Sequence, residues 1–257
     1  YRKILSTPAV TYAGNVKKSI FLKTARGYES CLQMALFGEE VDRAVYDNLL
    51  SAVNGALPVL HDYMHARKQA LGLAKMHMYD MHVSLVEDVD ISMPYDEAFE
   101  LVKKGLSPLG ADYVALLEKG RTERWLDVYE TPGKTSGAYS IGVYGNHPFV
   151  LLNYQETLTD IFTIAHEMGH AIHSYFSNGT QPYAKSQYKI FVAEVASTVN
   201  EMLLLRYLLA HTQDTKLKKY LLNYFMDMIR MTFFRQTQFA EFEAEAHAMA
   251  ERGEPLN

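Results

Sequence analysis

Residues 161–175 read IFTIAHEMGHAIHSY, and their reading decides the fold around them. Ile161, Ile164, Ala165, Met168, Ile172, Tyr175 and Phe176 recur at spacings of three and four, the stripe of a helix packed on a core. The other faces of such a helix ordinarily carry solvated lysines and glutamates. Here they carry His166, Glu167, His170 and His173. At about 100° and 1.5 Å per residue, His166 and His170 point roughly 40° apart and lie about 6 Å apart along the axis, so their rings can converge on one cation. Glu167 is turned to the flank of that pair. The pattern is His-Glu-x-x-His, in which two neutral imidazoles bind zinc and the glutamate serves as general base. A divalent ion brings the pKa of its water to roughly 7, and a neighbouring carboxylate can accept the proton and pass it to a leaving amine. Taken alone, the motif also fits hydrogen-bonded histidines at the core or its rim.

The chain carries its own control. His61-Asp-Tyr-Met-His65 repeats the histidine spacing with a shorter acid, but no third ligand suggests itself and Arg67 and Lys68 follow at once. It reads as a helix face rather than a metal site.

A catalytic zinc takes three protein ligands and keeps one position open. In Ile190-Phe-Val-Ala-Glu-Val-Ala-Ser197, Glu194 stands in apolar surroundings, where an unpaired carboxylate is costly and needs a partner. Zinc is one such partner, and a buried ion pair is the alternative. Glu201 lies seven residues on, with about 20° of drift, and can accept a proton from a ligand imidazole; an ordinary ion pair serves equally well. His173 shares the ligand face but sits about 4.5 Å beyond His170, which suits a structural or substrate-lining role.

Elsewhere the periodicity predicts helices over about 15–73, with Pro58 as a break, from Ser92-Met-Pro94 onward, and over Ala111 to Gly120. Leu126-Asp-Val-Tyr129, Ala138 to Tyr144 and Phe149 to Tyr154, separated by the turn-rich Thr131 to Gly137, read as two or three short strands in a small sheet. Helices over about 187–211 and 215–252 complete the chain. The fold expected is mainly α, a multi-helix lobe with a small β-sheet beside the metal site. Its divisions are residues 1–124, a helical lobe, and 125–257, the catalytic region.

In carrying His166, Glu167, His170 and Glu194 at these spacings, the sequence resembles oligoendopeptidase F, of the thimet oligopeptidase group of zinc peptidases. The resemblance extends to Leu73-Ala-Lys-Met-His-Met-Tyr-Asp80, Trp125 to Glu130, Ser136 to Ser140, His147 to Tyr154, Phe191 to Ser197 and Phe239-Ala-Glu-Phe242, in that family's order. It implies a zincin-like fold around a deep channel, with residues 1–124 forming part of the channel wall. It implies one zinc per chain on His166, His170 and Glu194, with Glu167 as the base, and short oligopeptides as substrates. By the same resemblance, Phe149 to Tyr154 is a candidate edge strand for pairing with substrate backbone, core packing being its other reading. Members are longer than this chain, and their tetrahedral-intermediate donors are expected beyond Asn257. The chain also opens at Tyr1 without a methionine, so an internal stretch of a longer protein is expected.

Composition narrows the field further. A net charge of −5 gives no footprint for nucleic acid or an anionic membrane, and the one cysteine, Cys31, fits a reducing compartment, the cytoplasm. No apolar run is long enough to span a bilayer. The activity expected is zinc-dependent endopeptidase action on oligopeptides, impaired if oxyanion donors are missing. The alternative is a zinc-binding peptide-receptor module with little turnover.

Overall fold

The computed structural model describes residues 4–86 and 92–256; Tyr1 and Asn257, which carry the expectation of a longer protein, lie outside them. The described chain is mostly helical with one small sheet, as expected. Contacts divide it into two compact units, Tyr1–Leu85 with Tyr224–Asn257, and Val86–Asn223. The boundary expected at 124/125 falls inside the second unit. The reason is packing: two helices before it bury their apolar faces on the helices that follow it.

The first unit holds α1 (Ser6–Ala25), α2 (Cys31–Glu39), α3 (Arg43–Gly55) and α4 (Leu57–Ala70). The helical stretch expected over 15–73 is interrupted at Gly27 (φ 76°), at Glu40, which ends α2 in the left-handed conformation (φ 57°), and between α3 and α4. The break expected at Pro58 falls just before it, at Ala56, and Pro58 itself occupies the first turn of α4, where its missing N–H costs nothing. A buried Arg67 organises this unit, donating to the carbonyls of Met81 and Val83 and lying 3.6 Å from Asp227.

In the second unit, α5 (Tyr95–Gly105) has Asp96 and Glu97 in its first turn and Lys103 and Lys104 in its last, the order the helix dipole favours. It buries Ala98, Phe99 and Val102. Next comes α6 (Ala111–Thr122). The sheet has β1 (Leu126–Asp127), β2 (Tyr139–Ile141) and β3 (Phe149–Leu151), in the order β1-β3-β2. β3 pairs parallel with β1 and antiparallel with β2. β3 is therefore the central strand, and the edge-strand reading of 149–154 is corrected: its backbone is engaged on both sides within 149–151. Core packing is the reading that fits, because Val150 and Leu152 are buried.

Helices α7 (Leu158–Thr180) and α8 (Ile190–His211) follow, and β2 and β3 lie against α7. The long helix expected over 215–252 is α9 (Thr215–Ile229) and α10 (Arg235–Glu251), joined by a π-helical turn over Arg230–Phe234. No described helix is long and apolar enough to cross a membrane.

Candidate metal centre

The site is built on α7, whose start is fixed by a capping box: Asp160 N–H donates to Thr157 Oγ1 at 3.2 Å and Thr157 N–H to Asp160 Oδ2 at 3.0 Å. Ile161, Ile164, Ala165, Met168 and Ile172 are buried as the stripe requires, while Phe176 at its end is exposed. α8 crosses α7 closely because of Gly169. A Cβ there would stand 2.7 Å from Ser197 Cα and 2.8 Å from the Ala196 carbonyl oxygen. Only a residue without a side chain permits this contact. Gly169 lies just before His170, and Ser197 lies one turn after Glu194. The crossing therefore carries Glu194 to the histidines.

Three donor atoms meet. His166 Nε2 is 3.2 Å from His170 Nε2, and Glu194 Oε2 is 3.4 Å from the first and 3.5 Å from the second. A tetrahedral ion with ligand bonds of about 2.0–2.2 Å separates its ligands by about 3.3–3.6 Å. Two facing imidazole nitrogens can share only one proton, so a cation is the partner that suits both lone pairs. In donor type and spacing, then, the trio fits a divalent metal. It is the one group of three or more such side chains among the described residues that could hold one. His61 and His65 are exposed and join no such group, in keeping with their reading as a helix face.

Glu201 stands where its heptad spacing suggested, with Oε1 on His166 Nδ1. A proton held on Nδ1 leaves Nε2 with its lone pair toward Glu194 and His170. Burial works against charging His166, but Glu201, with Glu167 and Glu194, outweighs it and the imidazole pKa is raised. Burial lowers that of His170. Glu167 is buried, and its Oε2 has no hydrogen-bond partner among the described residues. Desolvation raises its pKa to about 7, opposed by His166 and reinforced by Glu194 and Glu201.

The structure corrects one premise. Glu194 does not stand in a core, for its side chain is 61% exposed. It is held instead by the Ser197 hydroxyl, which donates to Oε2 at 2.7 Å. Two further residues escaped the sequence reading. Asn200 Nδ2 donates to the Ala165 carbonyl at 2.9 Å and its Oδ1 accepts from Tyr113 at 3.0 Å, tying α8 to α7 and α6. Their signal was available, since Ser197 and Asn200 are small polar residues between the two acids of a helix rich in apolar residues. His173 does not join the trio; its ring stacks on Tyr188 at 3.8 Å between centroids.

Residues 9–257 match the family model for peptidase family M3. The chain belongs to peptidase family M3. It is 45% identical over 256 residues to oligopeptidase PepF of Bacillus subtilis (strain 168), covering all of this chain and 38% of that protein. It is 41% identical over 258 residues to an oligoendopeptidase F homolog of Borreliella burgdorferi, covering 44% of it. Among solved M3-like structures, oligoendopeptidase-F of Enterococcus faecium superposes with a TM-score of 0.69 at 33% identity, over all of this chain and 38% of that one. A Chlamydophila abortus structure gives a TM-score of 0.86 at 40% identity, over 43% of its length. The chain thus spans less than half the length of these relatives.

Proposed function

We propose that these residues belong to a zinc-dependent endopeptidase that hydrolyses internal bonds of short oligopeptides. His166, His170 and Glu194 hold one zinc ion, Glu167 is the general base and Glu201 orients His166. The observation that carries this reading is the triangle of His166 Nε2, His170 Nε2 and Glu194 Oε2, with buried Glu167 beside it, whose Oε2 has no hydrogen-bond partner among the described residues. A purely structural metal site has no use for that carboxylate.

What a zinc ion supplies when held there is Lewis acidity toward a carbonyl and a water made nucleophilic near neutral pH. The chain's own residues do the rest. Glu167 takes a proton from the attacking water as its oxygen bonds to the scissile carbonyl carbon. It then delivers that proton to the amide nitrogen as the carbon–nitrogen bond breaks, releasing an amine and a carboxylic acid that gives up its remaining proton to solvent or to the amine. Glu201 keeps the His166 ring in one orientation and tautomer throughout. Cytoplasmic residence is proposed with it, supported by the single buried thiol of Cys31.

The test is Glu167→Gln. Zinc should remain near one equivalent after dialysis while cleavage of a quenched fluorescent peptide disappears. Cleavage retained by the variant overturns the assignment of the base, and wild-type protein that retains no zinc overturns the centre. Zinc bound with no cleavage by the wild type, in the chain or at the length of its relatives, favours the receptor module instead.

A further inference from the structure

His166, His170, His173 and Ser177 follow one another on α7 at spacings of four, three and four, so they lie within about 60° of one another on a single stripe. The first two supply the imidazoles of the trio. On the last two lies the chain between α7 and α8, which turns back along the helix. Ser177 Oγ donates to the Ser186 carbonyl at 2.6 Å, and Ser186 is buried. The Tyr188 ring stacks on the His173 ring, with centroids 3.8 Å apart and planes 14° from parallel. Its hydroxyl meets Ser174 Oγ at 2.9 Å. Gly142, just after β2, presses on the same turn of α7, since an added Cβ there would fall 2.6 Å from Ser174 Cβ. Tyr188 is thus fixed by its face and by its hydroxyl, one turn or about 4.5 Å beyond His170 along the axis. Two residues later α8 begins, and its second turn presents Glu194.

We infer that the His173–Tyr188 pair is the wall of the peptide site beside the trio and determines specificity there. It selects an aromatic or large aliphatic side chain on the substrate residue that flanks the scissile bond over the C-terminal half of α7. The inference rests on the reading of the trio as a peptidase centre. The pair closes the stripe that carries His166 and His170, so a peptide laid along it, at about 3.3 Å per residue, meets Tyr188 one or two residues from the metal. Both rings are half-buried, which leaves part of the pair open to solvent. The wall is also rigid and uncharged. Ser174 engages the Tyr188 hydroxyl, and burial lowers the pKa of His173. His173 Nδ1 is buried with no hydrogen-bond partner among the described residues, so stacking rather than a bond through that nitrogen holds the ring. A fixed neutral ring surface with its hydroxyl already engaged offers contact area, which favours aromatic and aliphatic side chains over charged ones.

The experiment is peptide binding by the zinc-loaded Glu167→Gln chain, read by fluorescence anisotropy so that no turnover is needed. The probes are fluorescein-labelled octapeptides of alanine and glycine, identical except for Phe, Ala or Glu at one central position. The Phe peptide should bind about tenfold more tightly than the Ala peptide, and the Glu peptide no better than the Ala peptide. Tyr188→Ala should remove the Phe preference while leaving zinc content and Ala-peptide affinity unchanged. Tyr188→Phe, which keeps the ring, should retain it. His173→Ala, which frees the tyrosine ring, should reduce the preference about threefold, and it serves as the test where circular dichroism shows Tyr188→Ala unfolded. Equal weakening of all three peptides by Tyr188→Ala assigns the pair to packing alone and overturns the inference. So does a Phe preference that survives both variants or is absent from the parent. The same titrations on metal-free protein separate this inference from the metal reading: a Tyr188-dependent preference in a chain that retains no zinc sustains the wall and refutes the centre.

Discussion

Gly169→Ala adds one carbon at the point where α7 and α8 touch. The added Cβ would meet Ser197 Cα at 2.7 Å, the Ala196 carbonyl oxygen at 2.8 Å and Ser197 N at 2.9 Å. All three are backbone atoms, so no side chain can rotate away and the helices must separate. Overpacking of this kind costs about 1–3 kcal/mol, and rigid backbone neighbours place it in the upper half of that range. Replacing glycine by alanine inside a helix returns about 0.8–1.0 kcal/mol. The net expectation is a loss of about 1–2 kcal/mol, which for a protein of this size lowers Tm by about 2–8 °C. Gly14→Ala is the matched control: it lies inside α1, where an added Cβ meets nothing within 4 Å. That variant should gain about 0.5–1 kcal/mol. The separation also draws Glu194 away from the two imidazoles, so zinc affinity measured against a competing chelator should fall about tenfold, as when the support of a ligand is disturbed. A Gly169→Ala protein as stable as wild type, with unchanged zinc affinity, refutes the claim that this backbone contact positions the site.

Glu201→Gln should keep the fold and weaken zinc binding about 10–100-fold, because the amide no longer holds His166 Nδ1–H as a carboxylate does; competition titration measures it. The Cys31 thiol is pushed up to about 11 by burial and by Glu251, so iodoacetamide labelling of the folded chain should be slow at pH 8 and rise with pH toward 11. Glu251→Gln should speed it. Glu118 is held below the usual carboxylate range by hydrogen bonds from Lys103 and Arg121. A depressed folded pKa gives stability that is complete above the unfolded value and lost as pH falls through the folded one. Lys103→Met should therefore flatten the acid side of the stability–pH curve, as read by thermal melts below pH 5.

Much of the site was legible because its signals are local. Thr157, Asp160 and the stripe from Ile161 to Ile172 specify α7 within about four turns, and the heptad from Glu194 to Glu201 puts both acids on one face. The misreadings arose where position depends on distant chain. Phe149–Leu151 has the pattern of any short strand, and only its pairing with Leu126–Asp127 and Tyr139–Ile141 makes it central rather than an edge. The boundary expected near 124 followed a change of local character. The actual grouping follows contacts such as Gly105 on Leu204 and Tyr113 on Asn200, which join residues about 90–100 positions apart.

Glu194 shows why a correct position can rest on an incorrect reason. Its apolar neighbours suggested burial, yet Phe191 and Val195 on either side of it are exposed. What fixes the carboxylate lies one and two turns later. Ser197 holds its oxygen, the Gly169 contact sets the helix spacing, and Asn200, itself braced by Tyr113, locks α8 to the carbonyl of Ala165. The trio of His166, His170 and Glu194 therefore stands at the junction between the well-packed half of α8 and its exposed half. Its spacing is inherited from the packed half, while its solvent exposure is set by the bare half. Zinc affinity and accessibility of the α8 face are thus separable properties of one helix, and perturbations at Gly169 and at Val195 should act on them independently.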